Sequence, residues 1–183
     1  METLHERFLR VSARQRERLI VSADDFRVDE RGVYQHNGDL GVIAWRMAEQ
    51  VFTELLPVVD RVIALVGAPG AGKTTWVSTN KESGVLYLDS TLSRRRRRRD
   101  VCAIAHDAGK EISCVLVHPE LEVCLARNRS RGRQVPDVVI QRAHHRLSVC
   151  PPDLDEGWAS VVIVGGRPGA DSGVLGDVLD SLV

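Results

Sequence analysis

The eight residues from 67 to 74, which read Gly-Ala-Pro-Gly-Ala-Gly-Lys-Thr, carry the clearest chemical signal in the chain. Their glycines let backbone N–H groups turn inward around an anion, because no Cβ stands in the way. The lysine adds a positive charge for phosphate oxygens, and the threonine hydroxyl suits Mg²⁺. The spacing G-x-x-x-x-G-K-[ST] is typical of loops that bind a nucleoside triphosphate. We expect ATP or another triphosphate to be bound, with Mg²⁺ on Thr74, by Gly67, Ala68, Pro69, Gly70, Ala71, Gly72, Lys73, Thr74 and Thr75.

A buried strand and a helix must position this loop. The apolar run at 61–66 predicts the strand that enters the loop, and residues 75–77 open the helix that follows it. The start of that helix adds unpaired N–H groups and the positive end of its dipole. Helical patterns separate this strand from four further apolar runs. The alternation predicts an α/β fold, a five-stranded parallel sheet with helices on both faces, whose other strands lie near 18–22, 85–88, 112–117 and 159–164.

Polar side chains follow several of these predicted strands. Asp24 and Asp25 follow the first strand, Asp89 follows the third and His118 the fourth, while a Gly-Gly-Arg loop at 165–167 follows the last. Parallel sheets bind ligands beyond the carboxyl ends of their strands. We therefore expect the site at this edge, with Asp89 near the phosphate-binding loop.

The length of 183 residues suits a single domain, residues 1–183, in which residues 1–18 form an N-terminal helical extension. The 25 Lys and Arg residues balance the 25 Asp and Glu residues, so no overall charge attracts nucleic acid. Arginines are nevertheless clustered, with six in a row at 94–99 and four alternating between 127 and 133. The sequence leaves open whether the run at 94–99 contacts a nucleic-acid backbone or forms a solvated surface.

Other patterns narrow the class of protein. Four cysteines are spaced unlike metal ligands, which predicts buried free thiols in a reducing compartment. The N-terminus lacks the apolar core of a signal peptide, and the longest apolar runs are too short to span a bilayer. These features predict a cytoplasmic protein without a membrane partner. Self-association or a repair-protein partner is compatible with the sequence.

Residues 127–140, Arg-Asn-Arg-Ser-Arg-Gly-Arg-Gln-Val-Pro-Asp-Val-Val-Ile, resemble the lid of the P-loop 5′-hydroxyl polynucleotide kinases, which carry R-N-x-x-R-G and then V-P-x-x-V. Residues 72–76 resemble the G-K-S-T-W of that family, residues 24–27 its D-D-Y-R, and residues 89–91 its D-T-N turn. One feature departs from the family: the D-D-F-R segment precedes the phosphate-binding loop here, whereas it follows the loop there. This order predicts a segmental permutation, which a parallel sheet tolerates when each crossover stays right-handed.

The resemblance implies an arginine-bearing lid at 127–147 on the ATP side of the site. Arg127 and Arg131 are four residues apart, so both would reach one face if this stretch is helical. Their guanidinium groups would then bind the ATP phosphates and the transition state, together with Lys73.

The resemblance also implies roles on the acceptor side. Asp24 would be the general base for an attacking hydroxyl, or would place it. Arg27 would hold a phosphate of the acceptor. Asp89 would contact the acceptor or water bound to Mg²⁺. The predicted catalytic residues are thus Asp24, Lys73, Arg127 and Arg131.

The function implied by the resemblance is transfer of the γ-phosphoryl group of ATP to the 5′-hydroxyl end of RNA or DNA, in nucleic-acid repair. Two alternatives stay open from the residues alone. One is a small-molecule kinase that acts on a nucleoside or sugar, or a zeta-toxin-like kinase. The other is a nucleotide-binding module without catalysis. The sequence does not distinguish RNA from DNA, or a single-stranded from a duplex acceptor.

Overall fold

The computed structural model of the protein describes residues 2–35, 38–132 and 134–165. Five strands form one sheet in the order β1-β3-β2-β4-β5, and every pairing between neighbours is parallel. The predicted five-stranded parallel sheet is thereby confirmed. The strands are β1 (Ile20–Val21), β2 (Arg61–Val66), β3 (Val85–Asp89), β4 (Ile112–Val117) and β5 (Val161–Val164).

Within the described residues, six α-helices connect and cover the strands. They are α1 (Leu4–Arg18), α2 (Gly38–Leu55), α3 (Lys73–Thr79), α4 (Arg95–Asp107), α5 (Leu121–Ser130) and α6 (Asp137–Val149). The sequence places the end of α3 at Gly84, but the helix ends at Thr79, where the Asn80 amide side chain bonds back to the Trp76 carbonyl oxygen at 2.8 Å. Most of the loop at 165–167, and the terminal helix that the sequence predicts after it, lie outside the described residues.

Side chains of the central strand alternate between the two faces of the sheet, as the pleat of a strand requires. Val62 and Ala64 point into a core formed with α1, α2 and α4. Ile63 and Leu65 point into a second core formed with α3, α5 and α6. Helices therefore cover both faces, and they hold the carboxyl ends of the strands at one common edge.

The short strand β1 lies at the edge of the sheet, where Ile20 pairs with Tyr87 and Val21 with Leu88 of β3. Strand β3 in turn separates β1 from β2, which enters the phosphate-binding loop. Because all these strands are parallel, the segment after β1 emerges on the same side as that loop. A segment encoded early in the chain thus reaches the edge where the loop lies.

The six-arginine run at 94–99 contains one buried member, Arg98, which is 0% exposed. Its Nε and Nη2 atoms each donate to a Glu156 carboxylate oxygen at 2.6 Å. Its other N–H groups reach carbonyl oxygens of Leu92, Cys150 and Pro151. The remaining arginines of the run are exposed. Arg98 therefore ties α4 to the loop before β5, a structural role that the sequence did not indicate.

Among the described residues, no helix is both long enough and apolar enough to cross a membrane.

Candidate active site

The phosphate-binding loop joins the end of β2 to the start of α3. The Lys73 ammonium group folds back over the loop and donates to the carbonyl oxygens of Gly67, at 2.9 Å, and Ala68, at 3.3 Å. Gly70 has a φ of +82°, and a Cβ at this position would overlap the Cys124 carbonyl oxygen of α5. Only glycine fits this turn without strain. The loop is therefore shaped by its sequence and held against α5.

Two oxygen-bearing side chains meet where the loop ends. The Thr74 hydroxyl donates to a carboxylate oxygen of Asp89 at 3.0 Å, and Lys73 Nζ lies 3.9 Å from the other oxygen. Asp89 is brought there because it ends β3, in register with Leu65 of β2. A hydroxyl and a carboxylate are the hard oxygen ligands that Mg²⁺ prefers, usually alongside substrate phosphates. These residues fit a Mg²⁺ ion. The described residues contain no cluster of three or more His, Cys, Asp or Glu side chains that could hold a metal by itself.

Helix α5 packs one arginine directly against the loop. Arg127 Nη1 donates to the Ala71 carbonyl oxygen at 2.7 Å. Its guanidinium also lies beside the Cα of Gly72, where an added Cβ would be 3.0 Å from Nη1. Arg127 is thus fixed beside the place where the loop would hold phosphates.

Arg131 reaches the site by a different route from the one predicted. Helix α5 ends at Ser130, and Arg131 caps it in an extended conformation, so the condition for Arg127 and Arg131 to share one helix face is not met. The buried Asn128 holds the new geometry. Its Oδ1 accepts from Arg131 Nη2 at 2.7 Å and from the Val135 N–H at 2.9 Å, while its Nδ2 donates to the Val135 carbonyl oxygen at 2.7 Å.

Asn128 was missed as a positioning residue. It lies within the R-N-x-x-R-G segment, but its spacing alone does not show that its amide serves both Arg131 and the loop that follows. A buried amide in the last turn of a helix, just before a polar loop, is the signal that could have indicated it, because buried polar groups must find partners.

Asp24 and Asp25 lie on a short 3-10 helix, Ala23–Arg27, directly after β1. Asp24 is exposed and accepts a hydrogen bond from the Tyr34 hydroxyl at 2.9 Å. Asp25 instead faces α1, with Gln15 Nε2 at 3.1 Å and Arg14 Nη2 at 3.6 Å. The two neighbours therefore differ, because Asp25 is bound to α1 whereas Asp24 is steadied from the side by a tyrosine.

One cleft of about 790 Å³ brings these groups together. Its walls include Asp24, Asp89, Arg127, Arg131 and the loop residues Pro69, Gly70, Gly72, Lys73, Thr74 and Thr75. The other predicted loop residues, Gly67, Ala68 and Ala71, are buried beneath this surface.

Arg27 is predicted to hold a phosphate of the acceptor, but it does not line this cleft. Its Nε donates to the Gln35 carbonyl oxygen at 3.3 Å, and its guanidinium lies 4.9 Å from the centre of the Tyr34 ring. A cation over an aromatic face is attracted to it. Arg27 thus supports the tyrosine that bonds Asp24, and does not line the cleft itself.

Two arginines of α1 complete the wall on the side of Asp24. Arg14 and Arg18 line the cleft, although neither is among the residues predicted for the site. Their separation by four residues on a helix, which places them on one face, is the signal that could have found them.

His118 follows β4 at the same edge of the sheet but is not part of the cleft wall. Its ring stacks on His144 of α6, with ring centroids 4.2 Å apart. Burial, with a smaller effect of His144, lowers the pKa of His118 below its usual value. We therefore expect a neutral His118 at neutral pH, which suits packing between β4 and α6.

The family model that matches the chain is described as an AAA domain and covers residues 79–149. The match runs from the end of α3 through α6, and so includes Asp89 and both lid arginines but not the phosphate-binding loop. It covers less than half of the chain. The AAA domain model is of the P-loop type and includes kinase families. This chain has a P-loop nucleotide-binding, kinase-like domain. No curated protein matches the chain significantly.

Proposed function

We propose that this P-loop protein transfers the γ-phosphoryl group of ATP to the 5′-hydroxyl end of RNA or DNA. One observation carries the proposal: a carboxylate at the end of β1, a phosphate-binding loop after β2 and two arginines from the α5 end line one cleft. Phosphoryl transfer needs these parts, because it depends on positioning and on stabilising charge spread over the phosphoryl oxygens.

The donor side would bind ATP through the loop. Lys73 would exchange its bonds with the loop carbonyl oxygens for bonds with the β- and γ-phosphates. Thr74 and Asp89 would hold Mg²⁺, which supplies positive charge that neutralises the phosphates. Asp89 was expected to contact the acceptor or metal-bound water, and its 3.0 Å contact with Thr74 favours the metal side. Arg127 and Arg131 would bind the oxygens of the γ-phosphoryl group as it moves.

The acceptor side would present a hydroxyl to Asp24. The hydroxyl oxygen forms a bond to the γ-phosphorus as the bond to the β-phosphate oxygen breaks, so ADP leaves and the hydroxyl proton passes to the Asp24 carboxylate. The Tyr34 hydroxyl occupies one oxygen of that carboxylate at 2.9 Å. This bond would hold the carboxylate in place for the acceptor. This proton moves late in a loose transition state, so the placement of Asp24 matters more than its basicity.

A polynucleotide acceptor is supported by two features. The segments at 24–27 and 127–140 resemble those of the 5′-hydroxyl polynucleotide kinases, and residues from both line the cleft. The acceptor side also carries arginines, which suit a phosphate-bearing substrate better than a neutral sugar or nucleoside.

The test is transfer of label from γ-labelled ATP, with Mg²⁺, to 5′-hydroxyl RNA and DNA oligonucleotides. Wild-type protein should label an oligonucleotide. Asp24→Asn should lose about a hundredfold or more in rate, in line with the loss of a general base. Asp25→Asn is the comparison variant: Asp25 also lines the cleft, but its carboxylate contacts Gln15 and Arg14 of α1, so it should lose clearly less activity than Asp24→Asn.

Two outcomes would overturn the proposal. Label on a nucleoside or sugar but on no oligonucleotide would favour a small-molecule kinase. Tight ATP binding with no transfer to either acceptor would favour a nucleotide-binding module without catalysis.

A further inference from the structure

We infer that Arg14 and Arg18 of α1 form a subsite for the phosphate that follows the acceptor hydroxyl in a nucleic-acid strand. This inference rests on the proposed transfer reaction and names the part of the acceptor that α1 recognises. It assigns a binding function to a helix whose sequence indicated only an N-terminal extension.

Helix α1 is held in one position against the body of the protein. Val11 is buried at 0% exposure in the core shared with α2. Gln15 is also buried, and its Nε2 donates to the Ser22 carbonyl oxygen at 2.8 Å, just after β1. The helix is therefore fixed to the segment that carries Asp24.

The junction between α1 and β1 also has a defined shape. Leu19 adopts a left-handed backbone with a φ of +51°, which is unusual for a residue other than glycine. Its N–H bonds to the carbonyl oxygens of Arg16 and Gln15 at the helix end. This turn places Arg18 directly beside the edge strand, with no flexible linker between them, and Arg18 lines the cleft.

The two arginines of this wall differ in the partners they have within the protein. Arg14 lies 3.6 Å from Asp25, which offsets part of its charge. Arg18 forms no hydrogen bond or ion pair with any residue in the part of the chain that the structure describes. An arginine in a cleft without an internal partner has its full hydrogen-bonding capacity available for a ligand, and its planar fork matches phosphate oxygens.

The position of Arg27 strengthens the assignment. The resemblance to the polynucleotide kinases implies that Arg27 holds the acceptor phosphate, but its guanidinium stacks on Tyr34, and Arg27 does not line the cleft. Lys73, Arg127 and Arg131 lie on the donor side, around the phosphate-binding loop. Arg14 and Arg18 are therefore the arginines left on the side of Asp24 within the described cleft wall. In a strand with a 5′-hydroxyl end, the nearest phosphate is attached to the 3′ oxygen of the same nucleoside, one sugar away from the reacting hydroxyl.

The experiment compares two acceptors that differ only in that phosphate: adenosine and adenosine 3′-monophosphate, with a 5′-hydroxyl trinucleotide as the nucleic-acid arm. We expect wild-type protein to prefer the phosphorylated acceptors in kcat/KM. Arg18→Ala should reduce that preference by about tenfold to a hundredfold, as expected for a charge-assisted hydrogen bond. Arg14→Ala should have a smaller effect, and Arg18→Lys should retain part of the preference. Activity on adenosine, which lacks that phosphate, should fall less than activity on adenosine 3′-monophosphate in each variant.

The matched control is Arg16→Ala. Arg16 lies on the same helix but pairs with Glu54 of α2 at 2.5 Å and does not line the cleft. It should keep the wild-type preference. Thermal unfolding of each variant checks that the exposed substitutions leave the fold intact.

A binding measurement separates this inference from the proposed function. Calorimetry measures the affinity of the trinucleotide in the presence of Mg²⁺ and a non-hydrolysable ATP analogue. If transfer fails but Arg18→Ala weakens trinucleotide binding relative to Arg16→Ala, the transfer reaction is wrong and the subsite stands. If wild-type protein transfers phosphate and Arg18→Ala matches Arg16→Ala in both preference and binding, the subsite is wrong and the reaction stands. A trinucleotide that binds no better than adenosine overturns the subsite, whether or not transfer occurs.

Discussion

The two arginine-rich segments of the chain differ in what their arginines contact: one contributes a buried contact of the fold, and the other lines the cleft. The run at 94–99 has the higher density of charge, yet its one buried member, Arg98, makes its contacts inside the protein, with Glu156 and three carbonyl oxygens. The segment at 127–131 is sparser, and two of its arginines line the cleft beside the phosphate-binding loop.

The difference follows from where each helix lies against the sheet and not from how densely charged each segment is. Arg127 and Arg131 stand at the end of α5, which packs on the loop at the carboxyl edge of the strands, where parallel sheets bind ligands. Arg98 lies one turn into α4, on the helix face that also carries the buried residues Val101, Cys102 and Ala105. Burial turns its charge into a fold contact, because a buried guanidinium must find partners within the protein.

The largest effect that would test this comparison is on catalysis. Arg127→Ala should lower kcat of phosphoryl transfer by about a thousandfold, in the range seen when an arginine on the transferring phosphoryl group is removed. It should change the free energy of unfolding little. Single-turnover transfer assays and urea unfolding measure the two quantities.

Arg129→Ala is the control for that variant. Arg129 lies on the same helix, its side chain is 66% exposed, and it pairs with Asp137 at 3.2 Å. It should keep near-wild-type kcat. An Arg127→Ala variant that transfers phosphate at the wild-type rate would remove the distinction between the two segments.

The second effect is on stability. Arg98→Ala should lower the free energy of unfolding by about 3–5 kcal/mol, because the buried Glu156 carboxylate loses its paired charge and keeps only the Trp158 N–H at 3.1 Å and the more distant Arg95 at 3.6 Å. The folded fraction should keep its kcat at low temperature. Urea unfolding measures the loss, and Arg96→Ala, an exposed member of the same run, should change stability by no more than about 0.5 kcal/mol. Equal stability of the two variants would show that the Arg98 pair contributes nothing to the fold.

A third, smaller effect concerns the lid. Asn128→Ala should lower kcat by about tenfold to a hundredfold, as expected when a catalytic group is misplaced by about an ångström. KM for ATP should change less, because the loop itself is intact. Asn128→Asp keeps the acceptor for Arg131 and the Val135 N–H but loses the donor to the Val135 carbonyl oxygen, so it should recover part of the rate. Steady-state kinetics measure kcat for both variants. A wild-type kcat in Asn128→Ala would contradict this positioning role.

The sequence predicted those parts of the molecule that depend on local patterns. The phosphate-binding loop and the five strands follow from residue spacing and apolar runs, and the sheet confirms the strands. Asp24 and Asp89 follow from the rule that sites form at carboxyl ends of parallel strands.

The rest depends on contacts between distant residues. Arg98 meets Glu156 across 58 positions of sequence, so no local pattern marks it as buried. The geometry of Arg131 depends on the Asn128 amide, which bonds to it and to Val135 simultaneously. The direction of Arg27 depends on where the Tyr34 ring lies. In each case the position of the side chain is set by contacts with residues that only the folded chain brings beside it.

The smallest expected effect is on the labelling rates of two buried cysteines, one beside each arginine segment. Cys102 is one turn after Arg98, and burial raises the pKa of its thiol to about 12. Cys124 lies on α5 against Gly70, and burial raises the pKa of its thiol as well. Because the thiolate is the reactive form, both should react with thiol reagents at pH 8 only when the protein opens locally or unfolds.

Mg²⁺ and ATP should therefore affect the two cysteines differently. At about ten times its Kd, bound ATP slows any opening that disrupts the loop by up to about tenfold. The labelling rate of Cys124, measured by mass spectrometry of its peptide, should fall by that factor, whereas the rate at Cys102 should fall less. If the two rates fell equally, the two segments would open together in a single unfolding event. The two arginine segments would then differ in their contacts but not in the free energy of their local opening.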